Sequence, residues 1–253
     1  MDEGRCQTGV QGLDELLEGG FPKGRVILVT GGCGTGKTIL AAQFLYYGAS
    51  LYNEPGVLVT LEQSPSLIKA DMKVMGFDLE KLEAENKLAI VDASLSEIAF
   101  KCEAVGQYTL SASASFSLDT ILQMIESAAK GIGAKRVVVD SISALDSLIE
   151  TRRMHTVSPV GDDARKLMLG INYKLQSMGV TSILISDVLE NEKTSKYGVE
   201  EFVVDGVVSM HYNVTGTDIG RYLIIKKMRG TKHSENINSL EFVRGYGIKV
   251  RGF

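Results

Sequence analysis

A chain of 253 residues suits one large α/β domain, and an apolar content of 44% is enough to bury a sizeable core. The net charge of −4 argues against a broad, sequence-blind nucleic-acid surface, which needs a large basic excess. Cys6, Cys33 and Cys102 form no C-x-x-C pair, the first eight residues are polar, and no apolar run reaches the ~18 residues of a membrane helix. Zinc, disulfide-framework and membrane classes are thereby disfavoured, and a soluble cytoplasmic protein is expected.

The first strand is expected at 26–30, apolar at successive positions as a strand covered on both faces must be. Gly31, Gly32, Cys33, Gly34, Thr35, Gly36, Lys37 and Thr38 follow it and match G-x-x-x-x-G-K-[ST]. Glycines let the backbone coil round a phosphate with its N–H groups inward, and the helix that starts at the end of the loop adds its positive dipole. Lys37 is then placed for the β- and γ-phosphates, and the Thr38 hydroxyl for Mg²⁺. ATP and Mg²⁺ are the ligands this motif predicts.

An amphipathic helix is expected at 37–51, and a second strand at 56–61. Glu62 ends that strand. It suits a base that orients or deprotonates a water, and it suits equally an acid leading into the helix that Ser64 and Pro65 open. A third strand is expected at 88–91, a long loop at 94–117 and a helix at 118–129. Arg136–Asp140 reads as a fourth strand, with Asp140 after three valines as the acid that holds Mg²⁺ through water; capping the following turn is its plainer alternative. A polar loop at 151–161, a helix at 163–178 and a strand at 182–186 come next. From Phe202 the pattern changes to strands at 202–210, 222–228, 239–243 and 248–250, an antiparallel tail that continues the sheet. The alternation implies one domain over 1–253, with a mostly parallel central sheet flanked by helices.

Thr8-Gly-Val-Gln-Gly-Leu-Asp14, Gly19-Gly20, the phosphate loop, the stretch from Glu54 to Glu62, Tyr197-Gly-Val-Glu-Glu-Phe-Val-Val-Asp205 and Lys227-Met-Arg-Gly-Thr-Lys-His233 occur in that order. Together they resemble the KaiC-type ATPases of the RecA superfamily almost end to end, as one such domain standing alone. The resemblance implies a RecA-like P-loop NTPase fold and an ATP hydrolase that works as a nucleotide-driven regulatory switch. It makes Glu62 the general base and Ile39 a residue just behind the phosphate loop. It sends Lys227, Met228, Arg229, Thr231 and His233 to the nucleotide of the neighbouring subunit in a homohexameric ring, with Lys227 and Arg229 as catalytic cations. A protein partner is implied without being identified.

Two departures qualify this. The family usually has two adjacent glutamates where this chain has Glu62 and Gln63, which opens the alternative of an ATP-binding adaptor that hydrolyses slowly or not at all. Glu201 and Phe202 stand where the clock protein's second domain carries phosphate-accepting hydroxyls, so clock-type autophosphorylation is not expected. A recombinase-like DNA-dependent ATPase is a third reading. Its DNA loops would be 151–161, with Arg152 and Arg153, and 189–196, nearly charge-balanced, so nucleic acid is the less favoured partner.

Overall fold

Strands that are apolar on both faces must be covered on both, and the sheet they build here is. The computed structural model describes residues 4–94, 118–145, 160–188, 196, 198–215 and 218–252. The loops expected at 94–117, 151–161 and 189–196 lie almost wholly outside the described residues.

Two short strands, β1 (Arg5–Cys6) and β2 (Phe21–Pro22), pair with each other. There follow β3 (Val26–Gly31), α1 (Lys37–Leu51), β4 (Gly56–Thr60), α2 (Pro65–Val74), α3 (Leu79–Ala84), β5 (Leu88–Asp92), α4 (Leu118–Ile132) and β6 (Arg136–Asp140). The chain continues through α5 (Val160–Ser177), β7 (Thr181–Asp187), α6 (Glu200–Val203), β8 (Gly206–Thr215), β9 (Asp218–Met228), β10 (Asn238–Val243) and β11 (Gly247–Arg251). Nine strands form one sheet in the order β11-β10-β9-β8-β3-β7-β6-β4-β5. From β8 to β5 all neighbours are parallel.

Alternate residues of each central strand feed two cores. Ile27 and Val29 join the cluster formed with α1, α2, α3 and the N-terminal segment, whereas Val26 and Leu28 join the one under α4 and α5. The period of two along a strand makes this division automatic.

Two expectations need correction. The strand read from 202 begins at Gly206, and Glu200–Val203 is a short helix. An apolar run of this length does not distinguish helix from strand by pattern. Buried Asp205 makes the turn, its N–H donating to Val26 O and its carboxylate accepting the Val26 N–H. The tail is antiparallel throughout, as expected, from β8–β9 to β10–β11, and it joins the parallel core because β8 lies parallel to β3. Finally, Val160 and Gly161, read as loop, already belong to α5.

One polar cluster ties α1 to β6. Arg136 is fully buried; its Nε and Nη2 donate to Glu54 Oε2 at 2.9 and 2.6 Å, and Nη1 donates to Phe44 O at 2.8 Å. Burial pushes the Glu54 carboxyl up, but hydrogen bonds and charge from Arg136 and Lys23 outweigh this and hold it below its ordinary 4.5. Glu54→Gln would leave a buried guanidinium without its counter-charge, so a loss of about 3 kcal/mol is expected in urea unfolding at neutral pH. A depressed carboxylate pKa stabilises the fold above the unfolded value and ceases to as pH falls through the folded one. The gap between wild type and Glu54→Gln should therefore narrow below pH 4.5.

Candidate active site

Parallel strands bring their C-terminal ends to one edge. Gly31 pairs with Asp187 on β7 and with Met210 on β8, and Thr60 pairs with Asp140 on β6. Four strand ends therefore converge where the glycine loop leaves β3. A cavity of about 460 Å³ opens there, with Lys37, Thr38, Glu62, Asp140 and Asp187 at one end and Ile39, Ile68 and Phe242 as its apolar wall.

The loop fits its place because it lacks side chains. A Cβ on Gly31 would lie 2.2 Å from Met210 O, and one on Gly36, at φ +100, would lie 2.4 Å from Phe242 Cζ. Thr35 Oγ1 closes the loop by donating to Gly32 O at 2.9 Å. Cys33 is exposed at the cavity rim. Lys37 begins α1 and is almost buried, its Nζ donating to Gly31 O and Gly32 O at 2.8 Å each and lying 2.9 Å from Asp187 Oδ1.

Thr38 Oγ1 donates to Asp140 Oδ2 at 2.7 Å. Burial pushes the Asp140 carboxyl up to about 6; the Thr38 hydroxyl opposes this, and the negative charges of Asp187 and Glu62 add to it. Ser141 Oγ lies 2.8 Å from Glu62 Oε1 and 3.2 Å from Asp187 Oδ2, and one hydroxyl proton can serve only one of them at a time. Three carboxylates thus crowd one polar pocket beside a hydroxyl, a hard-oxygen environment that a divalent cation would relieve. Among the described residues there is no cluster of three or more His, Cys, Asp or Glu able to hold a metal alone.

Lys37→Ala removes the ammonium at the mouth of the loop and unties Gly31 and Gly32. ATP affinity measured by calorimetry should fall at least tenfold, about 1.4 kcal/mol, with the fold retained.

The model of the family described as the KaiC ATPase matches residues 6–252. The chain belongs to the KaiC ATPase family. A UPF0273 protein of Methanocaldococcus jannaschii is 34% identical over 230 residues, 91% of this chain and 89% of its own length. The circadian clock oscillator protein KaiC of Picosynechococcus is 37% identical over 230 residues, which are 90% of this chain but 41% of that protein. The crystal structure of a KaiC-like protein from Pyrococcus horikoshii matches with a TM-score of 0.79 and 38% identity, covering 98% of this chain and 99% of the other. The nine-stranded sheet is accordingly a RecA-type sheet of KaiC kind, and a KaiC-type ATPase domain is a nucleotide-binding one.

The residues that the KaiC resemblance sends to a neighbour's nucleotide lie at the opposite edge. Met228 pairs with Gly206, which pairs with Ile27, four residues before Gly31. At about 3.3 Å per strand residue, that is roughly 13 Å along the sheet from the phosphate loop. Lys227 Nζ donates to Glu201 O at 2.9 Å and Val204 O at 2.6 Å, and burial, then the charge of Arg229, lowers its pKa. Arg229 is half exposed, with Nη1 3.5 Å from Asp205 Oδ1. Met228 is buried, Thr231 Oγ1 accepts from Arg5 at 2.5 Å, and His233 Nδ1 lies 3.1 Å from Ser234 O. No acid stands near Lys227 and Arg229 in sequence, but carbonyls of Glu201 and Val204 and the Asp205 carboxylate reach them in space. The two cations do reach one and the same segment.

Asp187, Ser141 and Phe242 were missed. Asp187 ends a strand as Asp140 does, and the apolar run expected at 182–186 stops one residue short of it. Phe242 carried no signal, since only the folding of the β10–β11 hairpin against α1 brings it to Gly36. Gln43 holds that hairpin, donating to Ile248 O at 3.1 Å and accepting the Ile248 N–H at 2.7 Å.

Proposed function

We propose that this chain is a Mg²⁺-dependent ATP hydrolase, one KaiC-type domain over 1–253, that works in a homo-oligomeric ring as a nucleotide-driven regulatory switch. The observation that supports it most is the convergence of Lys37, the Thr38–Asp140 pair and Glu62 on one edge of the sheet. Gly31–Thr38 would cradle the phosphates and Ile39, Ile68 and Phe242 would face the nucleoside. Thr38 and Asp140 would hold Mg²⁺, which supplies charge neutralisation for the β- and γ-phosphate oxygens. Glu62 would accept a proton from water as its oxygen bonds the γ-phosphorus. The bond to the β-bridging oxygen then breaks, and ADP leaves with the electron pair. Lys227 and Arg229, with Met228, Thr231 and His233 around them, would complete the site of an adjacent subunit, most simply in a hexamer.

A slower adaptor is the second reading, favoured by Gln63. It lines the cavity where the family usually has a second acid, and its carbonyl is held by Thr60 Oγ1. Among the described residues no helix is long and apolar enough to cross a membrane. Buried Cys6 and exposed Cys33 are both free, which supports a reducing, cytoplasmic setting.

The test is phosphate release by the purified protein, with its mass in solution measured with and without ATP. Release together with an ATP-favoured ring supports the switch, since a ligand gripped by two subunits stabilises the assembly. ATP binding without release supports the adaptor. Single-stranded DNA should not stimulate release, and its binding should stay in the non-specific range of roughly 10⁻⁴–10⁻⁶ M. Clear stimulation would favour the recombinase-like reading instead.

A further inference from the structure

The loop that follows β9 is held by the other end of the chain. Thr231 Oγ1 accepts from Arg5 Nη1 at 2.5 Å, the Lys232 N–H donates to Glu18 Oε2 at 3.2 Å, and the Ser234 N–H donates to Leu16 O at 3.1 Å. Glu18 Oε2 also lies 3.3 Å from Arg5 Nη2, so one carboxylate joins that guanidinium to the Lys232 amide. Glu18 ends the short helical turn Glu15–Leu17 at φ +54, in the left-handed region that residues with a side chain seldom occupy. A glycine would take that conformation freely, whereas here a glutamate holds it and reaches across to the loop.

The place of this clamp decides what it can act on. Phe21–Pro22, which pairs with Arg5–Cys6, precedes β3, and the phosphate loop leaves β3 at its other end. Arg5 and Glu18 therefore lie about a strand's length from their own Gly31. On the loop, the Arg229 N–H donates to Asp205 O at 2.9 Å and the Thr231 N–H to Met228 O at 3.2 Å, with Gly230 between them at φ +69. Asp205 thus fixes the loop where it leaves the strand, and Arg5 and Glu18 fix it beyond the turn. Between these anchors stands the half-exposed guanidinium of Arg229. An ion pair as exposed as Arg5–Glu18 adds little to stability, which leaves position as its larger effect. A misplacement of about 1 Å in a group that meets a reacting phosphoryl is costly in rate.

We infer that Arg5 and Glu18 are positioning residues that hold the loop 229–233 for the nucleoside triphosphate of an adjacent subunit, without touching a nucleotide themselves. The inference rests on the reading above in which that loop completes a neighbour's site.

Glu18→Gly removes the carboxylate and eases the left-handed backbone. Its turnover at saturating ATP should fall about tenfold. Its Kd for ATP by calorimetry should stay within about threefold of wild type, and its unfolding midpoint within about 3 °C. Mixtures then read the side of the interface. Mixed with Glu62→Gln, part of the activity should return, because some interfaces combine an intact Glu62 with an intact loop. Mixed with Arg229→Ala, none should return, because every interface lacks a working loop. If Glu18→Gly does not fold, Arg5→Met is read in the same mixtures, since it removes both donors and keeps an unbranched stem. Turnover of the folded variant within about twofold of wild type would overturn the inference, and so would failure of both variants to fold. Recovery with Arg229→Ala, or none with Glu62→Gln, would overturn it too, because the defect would then lie in the variant's own site or fold. A control mixture of Arg229→Ala with Glu62→Gln that regains nothing, or a wild type without turnover, would remove the shared-site reading and this inference with it. Recovery in that control while the Glu18→Gly mixture fails removes this inference only.

Discussion

Glu62→Gln should lower ATP turnover by about 10²–10⁴ and leave ATP affinity nearly unchanged. The expectation rests on place and environment. Glu62 follows β4 at the edge where the phosphate loop leaves β3, and it lines the same cavity as Lys37 and Asp140. Its carboxylate takes the Ser141 hydroxyl at 2.8 Å, a contact that a glutamine oxygen can also accept. The substitution therefore preserves shape and hydrogen bonding and removes only the capacity to take a proton from water. Phosphate release under saturating ATP reads the chemistry, and calorimetry reads the binding. An unchanged rate would remove Glu62 from the mechanism. A wild type with no measurable turnover would move the balance to the adaptor reading that Gln63 supports.

Arg229→Ala should lower turnover by a comparable or larger factor, about 10³ if the guanidinium meets the transferring phosphoryl group from an adjacent subunit. Within its own chain it cannot reach that group, because it follows β9 at the far edge of the sheet from Gly31. Nor is it needed to balance Asp205. That carboxylate keeps Arg25 at 3.3 Å, the Val26 N–H at 3.2 Å and Gln176 Nε2 at 2.8 Å. Stability should therefore change little, within roughly 0.5–1 kcal/mol. Lys227 is the poorer probe, because its ammonium also holds the carbonyls of Glu201 and Val204 at the end of α6. The decisive measurement mixes Arg229→Ala with Glu62→Gln. Mixed rings contain some interfaces with both residues intact, so part of the activity should return. A wild type that is fully active as a monomer at every concentration would defeat the shared-site model.

The local sequence was sufficient for the phosphate loop, the strand before it and the helix after it. Glycine spacing, apolar runs and helical periodicity are properties of neighbouring residues, and Gly31–Thr38 needs nothing distant to be recognised. Asp140 was legible for the same reason, since three valines before an acid describe a buried strand and its end. The parallel core followed from alternation of strand and helix, and the structure bears it out.

Other features depended on which strands become neighbours. The end of the helix Glu200–Val203 falls inside the strand read at 202–210, because the apolar run Phe202, Val203, Val204 fits either pattern; Asp205 bonding to Val26 on β3 ends the helix there. The parallel placement of β8 beside β3 was invisible for the same cause, as pairing joins residues about 180 positions apart in sequence. So was the setting of Lys227 and Arg229, whose partners are carbonyls and a carboxylate brought across by that pairing. Asp187 against Lys37, Phe242 against Gly36 and Arg221 against Gly34 belong to this second group. A sequence specifies which side chains are available to a phosphate-binding edge. Only register and strand order, set by burying both faces of the sheet at once, decide which of them arrive there.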